Sequence, residues 1–168
     1  MIKKISFVIF SILNFFDKIL KILLNRSFII WFKDFIEDNS YRELKFENGS
    51  GKLIFFTPNY LSDWLVKDFY KKEPETLEWI KNFKEEDKKI IFWDIGANIG
   101  LYSIYAAKTH KNIEVISFEP STNNLRILTR NIFVNKLNKK IKIFQLPLGS
   151  DSNKFANFSE SIFIEGAS

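Results

Sequence analysis

The sequence contains no cysteine. That excludes a disulfide, a thiolate nucleophile and any cysteine-ligated zinc site, and it fits a cytoplasmic protein. Histidine is almost as scarce, His110 being the single occurrence, so neither a histidine-based metal site nor a Ser-His-Asp triad can be assembled within the chain. No alanine precedes Ala97, which leaves an N-terminal signal peptide without the small-residue cleavage site it needs. An unbroken apolar run long enough to span a bilayer is also missing. The run that starts at Ile5 is interrupted by Asp17, Lys18 and Lys21, whereas a spanning helix needs about 20 consecutive apolar residues.

What is present fits one domain of 168 residues, rich in aromatic side chains, with 19 Phe to build a core. The net charge of +5 is carried entirely by residues 1–33, where Lys3, Lys4, Lys18, Lys21, Arg26 and Lys33 face Asp17 alone. A basic chain ordinarily points to nucleic acid, but here the charge belongs to a greasy segment, and no nucleic-acid partner is expected. Residues 1–40 read as an apolar, basic helical segment with three readings: packing on the domain, peripheral contact of residues 1–30 with an anionic membrane surface, or a signal or anchor.

Residues 41–89 read as a hairpin and helices leading into the core. Residues 44–47 and Lys52–Phe56 flank Asn48-Gly49-Ser50-Gly51, and Asn-Gly between apolar runs is a hairpin signal. Asn59 or Ser62 opens a helix with Leu61, Leu65 and Phe69 on one face, interrupted by Pro74. Another helix from Glu75 buries Leu77, Ile80 and Phe83 and runs into a charged connector at residues 84–89. Glu75 and Thr76 read first as a helix N-terminus, where a carboxylate and a hydroxyl favour the exposed amides, and second as a cap over a ligand pocket.

The chain is organised around residues 90–100, Ile-Ile-Phe-Trp-Asp-Ile-Gly-Ala-Asn-Ile-Gly. Four bulky apolar residues, Ile90 to Trp93, predict a strand covered on both faces. Leu101, Ile104 and Tyr105 follow at helical spacing, so the pattern predicts strand, glycine turn and helix. Asp94 bears on the ligand of that turn: a carboxylate two residues before the first glycine repels a pyrophosphate and attracts an ammonium. The spacing Gly96-Ala97-Asn98-Ile99-Gly100 is also G-x-x-x-G, unlike the G-x-G-x-x-G of dinucleotide sites. S-adenosylmethionine, with an ammonium, a sulfonium and no phosphate, suits this turn better than a nicotinamide cofactor. A second strand, residues 113–118, ends in Glu119 just before Pro120, 23 residues past Gly96, where doubly wound folds hold ribose hydroxyls. Ser121 or Thr122 caps the next helix, which buries Leu125, Leu128 and Ile132. Residues 141–146 read as a third strand, residues 148–151 as a turn, and residues 161–164 as one short extra strand.

The run from Trp93 to Ser103, Trp-Asp-Ile-Gly-Ala-Asn-Ile-Gly-Leu-Tyr-Ser, followed by Phe118-Glu119-Pro120-Ser121, resembles the FkbM-type family of S-adenosylmethionine-dependent methyltransferases. The likeness extends to Lys72-Glu73-Pro74-Glu75-Thr76-Leu77, Pro147-Leu148-Gly149 and Glu165-Gly166-Ala167-Ser168, and it hardly touches residues 1–40. It implies an α/β, Rossmann-like parallel sheet with flanking helices over residues 90–168. Binding of S-adenosyl-L-methionine then falls to Asp94, Gly96, Ala97, Asn98, Gly100, Glu119, Pro120 and Ser121, with no metal. It also implies O-methylation of a hydroxyl on a sugar, glycolipid or other small-molecule acceptor.

The family's fold carries seven strands, and three core strands are accounted for here, because each strand-helix-strand unit takes roughly 30 residues. The expectation is therefore the N-terminal portion of a longer protein or a truncated product, with most of the donor pocket, little of the acceptor pocket and an open sheet edge. The alternatives are a non-catalytic remnant that binds the donor and a nicotinamide-dependent oxidoreductase. No residue qualifies as a catalytic base. His110 falls in the helix-to-strand loop, away from the glycine turn, where it is expected to be solvated. Neither the acceptor nor the oligomeric state is indicated.

Overall fold

The computed structural model describes residues 1–46, 51–84, 88–149 and 164–167. The Asn48-Gly49-Ser50 turn, the centre of the charged connector, the Ser150-Asp151 part of the last turn and residues 161–163 of the short extra strand lie outside the described residues. The chain forms two compact units, Met1–Ser40 and Tyr41–Ser168.

The first unit is a helical hairpin of α1 (Ile2–Leu24) and α2 (Phe28–Asp38). Asn25 ends α1 in the left-handed conformation, φ 51°, which asparagine tolerates. The residue that breaks the apolar run also holds the hairpin. Asp17 is fully buried, and its Oδ1 accepts from the backbone amides of Phe28 (2.8 Å) and Ile29 (3.1 Å), while Ser27 Oγ donates to it at 2.8 Å. Asp17 thus caps the N-terminus of α2 from the neighbouring helix. Burial alone would raise its pKa, but Lys21 Nζ at 2.8 Å and the bonds from Ile29, Ser27 and Phe28 hold it at about 2.

In the second unit, β1 (Tyr41–Lys45) and β2 (Lys52–Phe56) form an antiparallel pair with Tyr41 opposite Phe56. Strand β1 starts ahead of the expected Leu44 because the Tyr41 ring packs on Phe56, 5.4 Å between centroids. Asn59 caps α3 (Tyr60–Lys67): its Oδ1 accepts from Ser62 N at 2.9 Å, and Ser62 Oγ accepts from Asn59 N at 3.3 Å. This helix ends well before Pro74. A break at Asp68 separates it from α4 (Phe69–Lys72), and Pro74 opens α5 (Pro74–Lys81), where a missing N–H is harmless.

Strands β3 (Ile90–Ile95), β4 (Ile113–Phe118) and β5 (Ile141–Phe144) form a parallel sheet in the order β3-β4-β5, with α6 (Leu101–Thr109) and α7 (Thr122–Val134) in the two crossovers. This is an α/β, Rossmann-like arrangement. Strand β5 stops before the expected Leu146, whose amide turns back to donate to Phe144 O at 3.0 Å. Strand β3 is not covered on both faces, contrary to the expectation from its four apolar residues. Phe92 and Asp94 point inward, where α6 packs against the sheet, but Ile91, Trp93 and Ile95 are 52%, 56% and 62% exposed. Trp93, Phe118 and Phe144 lie in a row, Trp93 tilted against Phe118 at 5.4 Å between centroids and Phe118 stacked on Phe144 at 5.6 Å.

His110 is buried rather than solvated. Its Nε2 lies 2.7 Å from Ile80 O, its ring stacks on Phe83, and Lys140 Nζ closes the loop by donating to Ala107 O and His110 O.

Asn131 of α7 and its C-cap Asn135 pair with β2 on the edge away from β1. Asn135 accepts from Ile54 N at 3.1 Å and donates to Ile54 O at 2.6 Å, and Asn131 accepts from Phe56 N at 2.6 Å. Four residues of helix rise about 6 Å, close to the span of two strand residues, so side-chain amides one turn apart match alternate strand positions. Asn131 also donates to Ile99 O at 2.8 Å, tying the hairpin to the glycine turn. Asn131→Leu keeps the volume but orphans a buried amide and a carbonyl. It is expected to lower unfolding free energy by at least about 2 kcal/mol, read from urea denaturation.

Candidate functional site

At the carboxyl end of β3 the glycine turn borders a cavity of about 410 Å³. Asp94, Gly96, Ala97 and Asn98 line it from the turn, Glu73, Thr76 and Trp79 from α5 and the residue before it, and Tyr102 from α6. The turn is held in shape by Gly96 N and Ala97 N, which donate to Phe118 O at 2.9 and 3.0 Å. The two glycines do different work. Gly96, φ 76°, has nothing within 4 Å of where a Cβ would stand, so its backbone is open to a ligand. Gly100, φ 85°, would place a Cβ 2.3 Å from Leu128 Cδ1, so its bareness serves the approach of α7.

Asp94 is 8% exposed. Ser103 Oγ donates to its Oδ2 at 2.5 Å and stands 2.7 Å from Ser117 Oγ. Burial pushes the Asp94 carboxyl above its usual range; the Ser103 bonds oppose this, and the charge of Glu119 adds to it. The Tyr102 phenol is pushed up as well, first by burial, then by its bond to Glu73 and by the charges of Glu73, Asp94 and Glu75. Three carboxylates therefore act on one phenol at the cavity wall, and with Lys72 among the lining residues the acids still outnumber the bases. Such a wall favours a cation and disfavours a phosphate.

Glu119 follows β4 on the adjoining strand tip, and its carboxylate accepts three bonds from the chain itself. Its Oε2 accepts from Asn98 N at 2.7 Å, and its Oε1 from Ser121 N at 2.9 Å and Asn124 Nδ2 at 3.3 Å. Ser121 in turn caps α7, its Oγ accepting from Asn124 N at 3.3 Å. Of the residues singled out from sequence, Asp94, Gly96, Ala97 and Asn98 line the cavity, whereas Gly100, Glu119, Pro120 and Ser121 are not among its lining residues. Residues 164–167 brace the same turn: Gly166 O accepts from Asn98 Nδ2 at 3.0 Å, and Gly166 N donates to Asn124 Oδ1 at 2.8 Å. Asn98 Oδ1 is buried with no partner among the described residues, a spare acceptor beside the cavity.

Because each Glu119 oxygen accepts from an N–H donor, an amide cannot replace it cleanly. Glu119→Gln presents an NH2 to one backbone N–H, and a stability loss of about 1–3 kcal/mol is expected in thermal or urea unfolding. Sequence reasoning passed over Glu73 and Tyr102 as site residues. A signal was there, since Glu73 lies in the Lys72-Glu73-Pro74 segment and Tyr102 directly follows the glycine turn. Thr76 lines the cavity and Glu75 does not, although its charge is felt at Tyr102.

The parallel sheet, the glycine turn and the acid-tipped strands define a Rossmann-like domain with a cavity suited to a cationic ligand. No family model matches the chain. Methyltransferase sdnD of Sordaria araneosa is 34% identical over 59 residues, covering 35% of this chain and 23% of that protein, so the match spans under a quarter of the relative's length. Among solved structures, the SAM-dependent methyltransferase from Agrobacterium tumefaciens shares 16% identity at a TM-score of 0.47, covering 63% of this chain and 32% of that one. The precorrin-6y C5,15-methyltransferase of Geobacter metallireducens shares 20% at a TM-score of 0.38, covering 44% and 37%. TYW2 of P. horikoshii, solved in complex with MeSAdo, shares 17% at a TM-score of 0.44, covering 64% and 36%.

Proposed function

We propose that this chain is the donor-binding part of an S-adenosylmethionine-dependent methyltransferase of the FkbM type. It acts in the cytoplasm on a hydroxyl of a sugar, glycolipid or other small molecule. The observation that carries the reading is the meeting of Asp94, Glu73 and the open backbone of Gly96 at one cavity. The residues fit the donor: Asp94 accepts its ammonium, Gly96 lets it lie close to the turn, and the spare Asn98 Oδ1 offers an acceptor nearby. The identity shared with a methyltransferase supports the same class.

When bound, the donor would supply an electrophilic methyl carbon on a sulfonium, with a neutral thioether as leaving group and the acceptor's hydroxyl proton passing to solvent. The chain's own residues contribute alignment and exclusion of water. Tyr102 is hydrogen-bonded to Glu73 at the cavity wall, and the raised phenol keeps Tyr102 a hydrogen-bond donor. Phe92 and Trp79 supply apolar wall.

Calorimetric titration separates this reading from a dinucleotide site. S-adenosylhomocysteine is expected to bind and NAD to give no heat of binding. Binding of NAD alone, or of both alike, would overturn the donor assignment. Incubation with labelled donor and a panel of hydroxylated glycans tests the acceptor class, and label recovered only on nitrogen or carbon would refute O-methylation.

A further inference from the structure

The unit Met1–Ser40 carries a broad apolar surface. Along α1, Ile5, Ile9, Ile12, Phe16, Ile19 and Leu23 recur at alternating steps of four and three, which places them on one helix face, and they are 38–71% exposed. Val8, Phe15 and Ile22, seven apart, widen that face and are 56%, 61% and 83% exposed. On α2, Ile30, Trp31 and Phe35 are 61–66% exposed. Lys4, Ser11 and Lys18 form the row next to Val8, Phe15 and Ile22, and Lys3, Asn14 and Lys21 lie beyond them, on a side that also carries Phe7 and Phe10, 70% and 54% exposed.

Two features identify the occupant of this face. Its arc is wider than the two-position seam through which one helix packs on another in a coiled coil. It is also framed by positive charge: Lys3, Lys4, Lys18, Lys21 and Arg26 are opposed over the same stretch by Asp17 alone, which is already bound to Lys21 and to the start of α2. The remaining acids of the unit, Asp34, Glu37 and Asp38, lie at the far end of α2. Like charge disfavours a second copy, whereas an anionic surface is attracted. Among the described residues no helix is long and apolar enough to cross a membrane. A wide apolar face with lysines along its edge instead suits a helix lying in the headgroup boundary.

We propose that the α1–α2 hairpin docks on an anionic phospholipid surface, with the Ile5–Leu23 face of α1 and Trp31 of α2 in the headgroup boundary and the lysines contacting lipid phosphates. Asp17 makes this a single docking element, because it fixes the start of α2 against α1.

The test is cosedimentation of the full chain with vesicles of phosphatidylglycerol and phosphatidylcholine, and with vesicles of phosphatidylcholine alone. Partitioning onto the anionic vesicles is expected to be at least about tenfold stronger and to fall in about 0.5 M salt. The exposed triple variant Ile9→Ser, Ile12→Ser, Phe16→Ser is expected to lose it, and Lys3→Glu, Lys4→Glu, Lys18→Glu to lose the preference for anionic lipid. Tryptophan emission should shift to the blue on the anionic vesicles in the parent and much less in Trp31→Phe. Equal, salt-insensitive partitioning onto both lipids would overturn the proposal. So would absence of vesicle binding with a dimer that the serine variant dissociates, which would make the face an interface between copies. Binding of S-adenosylhomocysteine by the same variants reports the cavity separately, so failure here leaves the donor reading untouched.

Discussion

Replacing Gly100 by alanine is expected to lower the unfolding free energy by about 2–4 kcal/mol, the sum of a left-handed backbone penalty and overpacking. Gly100 sits at φ 85°, where an L side chain is strained, and its Cβ would stand 2.3 Å from Leu128 Cδ1 and 3.7 Å from Ile104 Cδ1. Leu128 is fully buried, so its methyl has little room to retreat, and the start of α6 must move away from α7. Gly96→Ala is the contrasting variant. Its φ of 76° carries the same backbone penalty of about 1–2 kcal/mol, but no atom lies within 4 Å of the new methyl. Its larger effect should therefore fall on ligand affinity, because the methyl occupies open space at the cavity wall. Urea unfolding and calorimetric titration of the two proteins separate these outcomes. A Gly100→Ala protein as stable as its parent would mean that α6 and α7 do not approach as closely as described.

The difference between those two glycines shows where sequence reading stopped. The G-x-x-x-G spacing located the turn, and the strand, helix and second strand around it were legible, because each is a local pattern of apolar spacing punctuated by glycine, proline or a cap. Which glycine borders the cavity and which faces a helix depends on Leu128, 28 positions further along the chain. The same limit hid the pairing of Asn131 and Asn135 with β2, more than 70 residues away. It hid the burial of His110 too, which Ile80 and Phe83 bring about from the far side of the charged connector. In β3 the four apolar residues announced a strand correctly, but one face is left uncovered by the described residues, and no local pattern distinguishes that case from a strand buried on both faces. Glu119 was singled out by its place at a strand tip. That Asn98 N and Ser121 N already occupy its oxygens is a fact of the folded turn.

Asp94→Asn is expected to weaken binding of S-adenosylhomocysteine by about 1.5–3 kcal/mol, as loss of a charge-assisted hydrogen bond, while leaving the empty protein as stable as its parent or slightly more stable. The two effects have opposite signs for one reason. Burial raises the Asp94 carboxyl above its usual 3.8, so the folded chain holds that proton more tightly than the unfolded chain does. Between 3.8 and the folded value, stability contributed by this group falls as pH rises, and the ionised form opposes folding at neutral pH. An amide removes that opposition and still accepts from Ser103 Oγ. An ammonium placed beside the carboxylate does the reverse of burial: it favours the ionised form and lowers the pKa. Ligand binding should therefore release a proton wherever the empty site is still protonated, and affinity should fall as pH is lowered through the raised titration of Asp94. Titrations over a pH series, repeated in two buffers of different ionisation enthalpy, read both the affinity and the proton count. Asp94→Asn should flatten the pH dependence and abolish the proton release. Affinity that rises on acidification in the parent, or an asparagine variant that binds as tightly as the parent, would remove the carboxylate from ligand recognition and leave it a buried partner of Ser103.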